Sequence, residues 1–208
     1  MKINKPKIKT YYENNLDELL SNNEVSNLIM DKNIENKLVI SNMTIDSCIF
    51  KNINFNNIVL ENVDLLDVIF DNCDLSNVCF DNEFLTRVEF NNCKLSGISL
   101  INASLKDVKI DNSNMKFANL TETSITNFLA LNTDLSESFF TDCKIKNMEL
   151  DDVKFYHTEI THTILSGIDF STSDINGIMM DSYSMRGIKV NTFQCQALIG
   201  ILKVEVVD

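Results

Sequence analysis

Two histidines and the carboxylates near them are the side chains in this chain whose types could support catalysis or metal binding. His157 and His162 lie five residues apart with Asp152 and Glu159 nearby, but the four do not match the spacing of a standard metal motif. No nucleophile elbow surrounds the abundant Ser and Thr residues, and the chain has no Gly-rich phosphate loop. We therefore expect a protein that is not an enzyme and that uses no metal or cofactor.

Six cysteines are the other reactive side chains, and their spacing also argues against a chemical role. They form neither a CxxC pair nor a Cys/His metal pattern. Residues 1–15 are basic and polar without an apolar signal segment, and no run approaches the roughly 18 apolar residues that span a bilayer. We expect a cytoplasmic protein in which Cys73 and Cys93 stack as neighbours and all six cysteines stay reduced.

The charge balance restricts the partners of the protein. The chain of 208 residues has 18 Lys and Arg against 30 Asp and Glu, a formal net charge of −12. An acidic surface repels nucleic-acid phosphates and anionic lipid headgroups. We therefore expect no direct binding to nucleic acid or to membranes, and a partner whose binding surface is basic.

An apolar residue at every fifth position is the feature that must place these side chains in space. From Ile40 to Val190 all 31 such positions are apolar, and 19 of them are Leu or Phe. A second, mostly small or β-branched residue stands two positions earlier, as Val63 does before Leu65. A period of five fits neither an α-helix nor a continuous strand, so the backbone must turn every five residues.

This period predicts a coil. Residues two apart in an extended segment point the same way, and the polar residues that follow can form a corner. Repeated corners wrap the chain around an apolar interior. Successive coils can then pair through backbone hydrogen bonds about 4.8 Å apart, which gives a solenoid.

The repeating units resemble the A(D/N)LXX motif of the pentapeptide-repeat proteins. The resemblance covers about three quarters of the chain and is carried by units such as Val63-Asp64-Leu65-Leu66-Asp67, Cys73-Asp74-Leu75-Ser76-Asn77 and Ala118-Asn119-Leu120-Thr121-Glu122. The family implies an all-β fold, a right-handed quadrilateral β-helix with four pentapeptides in each coil. For this chain it implies about eight coils and a rod on the order of 37 Å long.

A longer period in the sequence agrees with four pentapeptides per coil. Asparagines that recur every 20 residues predict a ladder of stacked side chains: Asn52, Asn72, Asn92, Asn112 and Asn132. Phenylalanines recur at multiples of 20 residues in a second set of positions: Phe50, Phe70, Phe90 and Phe170. Phe128 and Ala130 exchange the usual large and small residues, and we expect both to point inward and conserve the interior volume. Glu83 occupies an inner position, where its carboxylate must reach solvent or find donors.

The two ends depart from the repeat and are predicted to cap it. Residues 1–37 are predicted to form a cap and an irregular first coil, with a short helix in residues 15–30, before the β-helix of residues 38–191. Residues 192–208, around Gln194, resemble the C-terminal helix of bacterial members, which joins two rods in some of them. We expect a capping helix and a homodimer through this end, with candidate contacts Leu198, Ile201, Leu202, Val204 and Val206.

The unbroken register resembles that of loop-free members close in type to the Qnr-like fluoroquinolone-resistance proteins. Qnr-type members bind the type II topoisomerases DNA gyrase and topoisomerase IV through an acidic, DNA-like rod and protect them from quinolones. Residues 40–190 hold 22 Asp and Glu against 11 Lys and Arg, a net −11 along the rod. The candidate contacts follow one corner and then another: Asp71, Asp111, Asp151 and Asp152, then Asp74, Asp134 and Asp174.

A structural or adaptor scaffold is the alternative function. Apolar side chains at outward phases could bind another protein on a wall of the rod: Phe117, Leu129, Leu131 and Phe139. The two functions differ in salt dependence, because screening weakens binding through exposed charges and has little effect on apolar contacts.

Overall fold

The computed structural model describes residues 2–8 and 25–202, and most of them wind into a β-solenoid of about eight coils. The strands are β1 (Val25–Ser26), β2 (Ile29–Met30), β3 (Leu38–Asp46), β4 (Ile49–Lys51), β5 (Ile58–Asp71), β6 (Phe84–Asn91), β7 (Ser104–Asp111), β8 (Ser124–Leu131), β9 (Phe139–Thr141), β10 (Lys144–Asp151), β11 (Glu159–Thr161) and β12 (Met179–Met180). A 3₁₀ turn covers Phe55–Asn57, and one α-helix, α1, covers Thr192–Ile201. No helix of these two described stretches is long and apolar enough to cross a membrane.

Parallel pairing with a constant offset fixes the coil. Leu65 pairs with Leu85, and Val88 pairs with Val108, so each residue lies beside its equivalent four pentapeptides later, and the other strand pairs keep the same offset. Each coil has four sides, which we number by their central residues in one coil: 65 for side 1, 70 for side 2, 75 for side 3 and 80 for side 4. The predicted quadrilateral β-helix is therefore confirmed.

The interior of the coil holds the apolar residues of the repeat. Phe70 is completely buried, and its ring stacks between those of Phe50 and Phe90 with centroid distances of 5.2 and 5.1 Å. Phe128 and Ala130 are both fully buried, as predicted from their exchanged sizes. The core is thus a column of side chains that contact their equivalents in the coils above and below.

The corners of the coil explain the abundance of asparagine. Most corner residues have a positive φ, a left-handed conformation that Asn, Asp and Gly adopt most readily. The predicted asparagine ladder is present in part: Asn72 donates to Asn52 at 2.6 Å, and Asn112 donates to Asn92 at 2.7 Å. Between these pairs the Asn92 side chain donates to Asp71 at 3.4 Å, so the ladder forms separate rungs.

The first coil begins earlier than the sequence pattern indicates. Of the helix predicted in residues 15–30, the part before Val25 lies outside the described residues, and the prediction is wrong for Val25–Met30. There β1 and β2 pair with β3 and β4, and the side chains of Val25, Leu28 and Met30 are buried in the core. These three residues keep the five-residue phase, and burial on the solenoid outweighs their helical spacing.

Gln194 holds helix α1 on the last coils through two sets of hydrogen bonds. Its side chain accepts from the Asn191 amide at 2.8 Å, while Asn191 accepts from the Gln194 amide at 3.1 Å, which forms a capping box. The Gln194 side-chain amide group also donates to the carbonyls of Phe170 and Ser173 at 2.8 and 2.6 Å. The helix therefore satisfies backbone groups at this end of the rod, as expected for a cap.

Residues 2–8 form an extended strap along the outside of the corner between sides 1 and 2. The Asn4 amide and side chain donate to Asp107 at 3.2 and 3.0 Å, and the Lys7 amide donates to Asp67 at 2.7 Å. Ile3 and Ile8 are half-buried against the rod. The strap thus crosses several coils and ties them together.

Candidate protein-binding surfaces

The seven aspartates predicted as partner contacts meet at one corner of the rod, between sides 2 and 3. We call these seven residues the acidic corner: Asp71, Asp111, Asp151, Asp152, Asp74, Asp134 and Asp174. The prediction that they follow two corners is wrong, because the chain turns only once between the two rows, as at Asn72 with its positive φ. One row precedes that turn and the other follows it.

The first row of the acidic corner lies on side 2. Strand register places Asp71, Asp111 and Asp151 in line, two coils apart, which corresponds to about 9–10 Å. The Lys109 ammonium lies 2.7 Å from the Asp111 carboxylate. Within residues 2–8 and 25–202, neither Asp71 nor Asp151 has a cation at ion-pair distance. Fewer carboxylates are therefore paired with a lysine in this row than in the second row.

The second row has a structural function as well as a charge. Asp74, Asp134 and Asp174 each accept from the backbone amide two residues further on, at 3.1, 3.0 and 3.0 Å. Such bonds stabilise the turn that follows. Burial raises the pKa of Asp74, but hydrogen bonds from Ser76 and the Lys94 cation outweigh it and hold the pKa below its ordinary 3.8. Burial of Asp134 is likewise outweighed by Ser136 and Lys116, which lower its pKa. Asp74 and Asp134 are therefore ionised at neutral pH, and Lys94 and Lys116 partly compensate them.

A buried ion pair under the strap was not predicted from the sequence. The Arg87 guanidinium donates to both Asp67 oxygens at 2.6 and 2.7 Å, and Asp67 and Asp107 are almost fully buried at the same corner. Burial raises their pKa values, but the bonds from Arg87 and Lys7 to Asp67, and from Asn4 and Asn127 to Asp107, lower both below 3.8. In the repeat these positions look like ordinary corner residues, and the strap that covers them is distant in sequence.

The Glu83 side chain is neither fully buried nor fully exposed to solvent. It is half-buried beside Asp64, whose carboxylate accepts from the Phe84 amide at 2.8 Å. Burial raises the pKa of Glu83, and the charge of Asp64 and its hydrogen bond with Glu83 raise it further. The residue is thus one of a pair of neighbouring carboxyls, a placement that supplies no catalytic partner of another type.

The apolar side chains considered for an adaptor surface separate into two groups. Leu129 and Leu131 are half-buried on side 2, whereas Phe117 and Phe139 are exposed at the corner between sides 3 and 4. Tyr156 and Met179 are exposed at that same corner, which we call the apolar corner together with Phe117 and Phe139. Phe117 is 51% exposed and has a φ of 60°, an unfavourable conformation for a bulky side chain.

The C-terminal helix presents fewer of the predicted dimer contacts than expected. Leu198 and Ile201 pack against the core of the rod, and Leu202 is exposed. Val204 and Val206 lie outside the described residues. Phe193, which the sequence pattern does not single out, is 92% exposed on α1. Among the described residues 192–202, Phe193 and Leu202 are thus the large apolar side chains that are exposed.

The histidines and cysteines take part in local contacts. His162 lies 3.6 Å from Asp142 and 3.8 Å from Asp181, and no group of three metal-binding side chains is found in the part of the chain that the structure describes. All six cysteines are free thiols. Burial raises the pKa of Cys48 and Cys143 to about 12, and a hydrogen bond to Cys73 together with burial raises that of Cys93. Buried thiols of this kind are unreactive at neutral pH.

Comparisons with solved structures find other repeat proteins at low similarity. QnrB1, a plasmid-mediated fluoroquinolone resistance protein, is 19% identical, with 88% of this chain and 99% of that chain covered and a TM-score of 0.45. HetL, a pentapeptide repeat protein involved in heterocyst differentiation regulation in the cyanobacterium Nostoc sp. strain PCC 7120, is 16% identical, with 84% and 94% covered and a TM-score of 0.32. At these TM-scores the fold assignment depends on the chain's own register.

The sequence itself identifies the repeat. No curated protein matches the chain. The family described as Pentapeptide repeats matches in eight copies over residues 48–82 and 89–127. The coils that these copies form continue in the same register on both sides, from Val25 to Lys189. The matched segments carry pentapeptide repeats, and the solenoid as a whole has the fold of a pentapeptide-repeat β-helix.

Proposed function

We propose that this protein is a non-enzymatic rod that binds a DNA-binding protein through the acidic corner, as a mimic of duplex DNA. The observation that carries the proposal is the placement of seven aspartates at a single corner. Their rows run along the rod with Lys51, Lys94 and Lys154 among them, and the net −11 of residues 40–190 adds to their negative field. A cleft that binds DNA phosphates presents positive charge, which such a surface complements.

Type II topoisomerases are the candidate partners, DNA gyrase or topoisomerase IV. The repeat motif supports this choice, since it resembles that of the Qnr-type members that bind these enzymes and modulate their sensitivity to quinolones. The charge density supports a DNA-binding partner more generally. Net −11 over about 37 Å is about one charge per 3.4 Å, half the linear density of duplex DNA.

The test is a gyrase assay with a charge-reversed variant of the first row. The protein is expected to inhibit supercoiling or to protect gyrase from quinolone-induced DNA cleavage. The triple variant Asp71→Lys, Asp111→Lys, Asp151→Lys is expected to need at least about tenfold more protein for the same effect, because the reversed charges repel the basic cleft. The same row already accommodates Lys51, so the fold tolerates lysine there.

A matched control distinguishes the effect of the substituted positions from the effect of the changed net charge. Glu61, Glu122 and Glu137 are exposed on other parts of the rod, and their replacement by Lys changes the net charge equally. This control is expected to retain activity. Equal loss in both triple variants would show a general charge effect, and no effect of the unaltered protein on gyrase or topoisomerase IV would exclude topoisomerases as partners.

An adaptor that binds through the apolar corner is the second candidate. It is favoured by four exposed apolar side chains at one corner, one of them Phe117 in an unfavourable backbone conformation. Patches of this kind on a soluble protein are typical of protein contacts. Replacing Phe117 and Phe139 by Ser would then abolish partner binding, whereas the acidic-row variant would retain it.

Self-association through the C-terminal end is part of the proposal. Phe193 and Leu202 provide an exposed apolar surface on α1, which a second copy could cover. Sedimentation velocity is expected to show a dimer whose dissociation constant rises at least about tenfold in Phe193→Asp, because the charge would be buried at the contact. Phe84→Asp, which changes an exposed residue on side 1, serves as the control. A monomer at all concentrations would contradict this prediction.

A further inference from the structure

The parallel sheet of sides 1 and 2 ends inside the rod. Strand β10 pairs with β8 and is the last member of the nine-stranded sheet. Residues 164–171 of the next coil pass beside β10, yet within the described chain no backbone hydrogen bond joins the two. Pairing is normal just before and after, where Asp142 donates to Thr161 at 3.0 Å and Phe155 donates to Asp174 at 2.7 Å. Within residues 2–8 and 25–202, one edge of β10 therefore has no backbone partner.

The gap coincides with a change from extended strand to tight turn. In the coil that follows β10, Ile168 donates to Leu165 and Ser173 donates to Phe170, which closes a tight turn on each of sides 1 and 2. Gly167, at φ 86°, lies in the first of these turns. Earlier coils are extended strands at both places, so the conformation of the chain differs between β10 and the coil that follows it. Among the described residues, only side-chain hydrogen bonds cross the gap: the Cys143 amide donates to the Thr163 hydroxyl, and the Thr172 hydroxyl donates to the Leu150 carbonyl.

The gap opens a cleft to the apolar interior. Ligand clefts typically have volumes of about 300–1,000 Å³, and this cleft has about 680 Å³. Ile145 and Met148 on β10 are half-exposed in it, although Ile125 and Phe128, their equivalents one coil earlier, are fully buried. Ile164 on the opposite lip is 57% exposed. The cleft thus combines an unpaired strand edge with uncovered aliphatic side chains.

At the start of β10 the charges beside the open edge are positive, on an otherwise acidic rod. Lys144 and Lys146 point outward from β10 on either side of Ile145, and Lys2 of the strap lies at the cleft. None of these three lysines has an ion-pair partner in residues 2–8 or 25–202. Glu149 lies further along the cleft. A strand added beside β10 would place its outward residues next to the two lysines and its inward residues against Ile145.

We propose that this cleft binds an extended segment of a partner protein by strand addition to β10. The segment has an acidic residue opposite each lysine and an aliphatic residue between them. Main-chain hydrogen bonds to the open edge supply affinity, and this alternation supplies specificity. The site is separate from the acidic corner and would hold a second segment or partner, so it does not depend on the topoisomerase proposal.

The test uses a fluorescent decapeptide of alternating Val and Glu, with a Val/Lys decapeptide as its charge-reversed counterpart, on the full chain. The Val/Glu peptide is expected to bind at least tenfold more tightly. Amide hydrogen exchange is expected to slow in Lys144–Asp151 when it binds, which a loose electrostatic contact would not produce. The double variant Lys144→Glu, Lys146→Glu is expected to reverse the preference between the two peptides.

The control is Lys51→Glu, Lys154→Glu, which makes the same charge change at exposed sites away from the cleft and should leave the preference unchanged. Equal binding of both peptides, or binding without protection of β10, would overturn the proposal. So would the absence of binding at millimolar peptide.

Discussion

Replacing Phe70 by Ala is expected to lower the free energy of unfolding by about 3–5 kcal/mol. The Phe70 ring is completely buried and contacts the rings of Phe50, Phe55 and Phe90 in the interior of the rod. The cavity cannot collapse easily, because backbone pairing with the coils above and below fixes the width of each coil. Urea unfolding followed by circular dichroism measures the change, provided that the slope of the transition is unaltered.

Phe84 is the matched control for this prediction. It is 59% exposed on side 1, so Phe84→Ala removes the same atoms without opening a cavity. Its effect is expected to stay within about 0.5 kcal/mol, as for most surface substitutions. Similar losses in the two variants would contradict the assignment of Phe70 to a packed interior.

Arg87→Ala is expected to be the second most damaging substitution, with a loss of about 3 kcal/mol at pH 7. It removes the two hydrogen bonds from the guanidinium and leaves Asp67 almost fully buried with the Lys7 amide as its described donor. An uncompensated carboxylate of this kind is costly to bury. Arg186→Ala, at an exposed position near the end of the rod, should have almost no effect.

The pH dependence provides an independent check on this ion pair. The pKa values of Asp67 and Asp107 lie below the ordinary 3.8 in the folded protein, so the unfolded chain binds protons first as the pH falls. The stability that these groups contribute is complete above the unfolded pKa and is lost as the pH falls through the folded pKa. The difference between the wild type and Arg87→Ala should therefore shrink on acidification. A difference that is constant between pH 7 and pH 3 would contradict the role of the pair.

The coil and its core could be predicted from the sequence because they depend on local periodicity. Every fifth residue must be apolar because it lies in the interior. The sizes of Phe128 and Ala130 alone predict that both side chains point inward. The alignment of the side 2 aspartates followed from their recurrence at a multiple of four pentapeptides. In contrast, Val25–Met30 was predicted as helix, because its apolar residues fit both periods and only the pairing partner decides between them.

Features that depend on distant parts of the chain or on turn type could not be predicted in this way. The strap contacts of Asn4 and Lys7 join residues 103 and 60 positions apart, and no periodicity links them. The open edge of β10 is invisible to the apolar pattern, which continues through Leu165 without a break; Gly167 is the local sign of the changed turn. A corner aspartate can lack an ion-pair partner among the described residues, as Asp151 does, or accept a hydrogen bond within a turn, as Asp74 does, and this difference also depends on its neighbours in space.

The most direct test of the account is the affinity of this protein for purified DNA gyrase at 50 and 300 mM salt, for the wild type and the Asp71→Lys, Asp111→Lys, Asp151→Lys variant. Screening of exposed charges predicts that wild-type binding weakens steeply with salt and that the variant binds weakly at both concentrations. Binding that is unchanged by salt and by the three substitutions, but lost in Phe117→Ser, Phe139→Ser, would contradict the acidic corner as the binding surface and assign that role to the apolar corner.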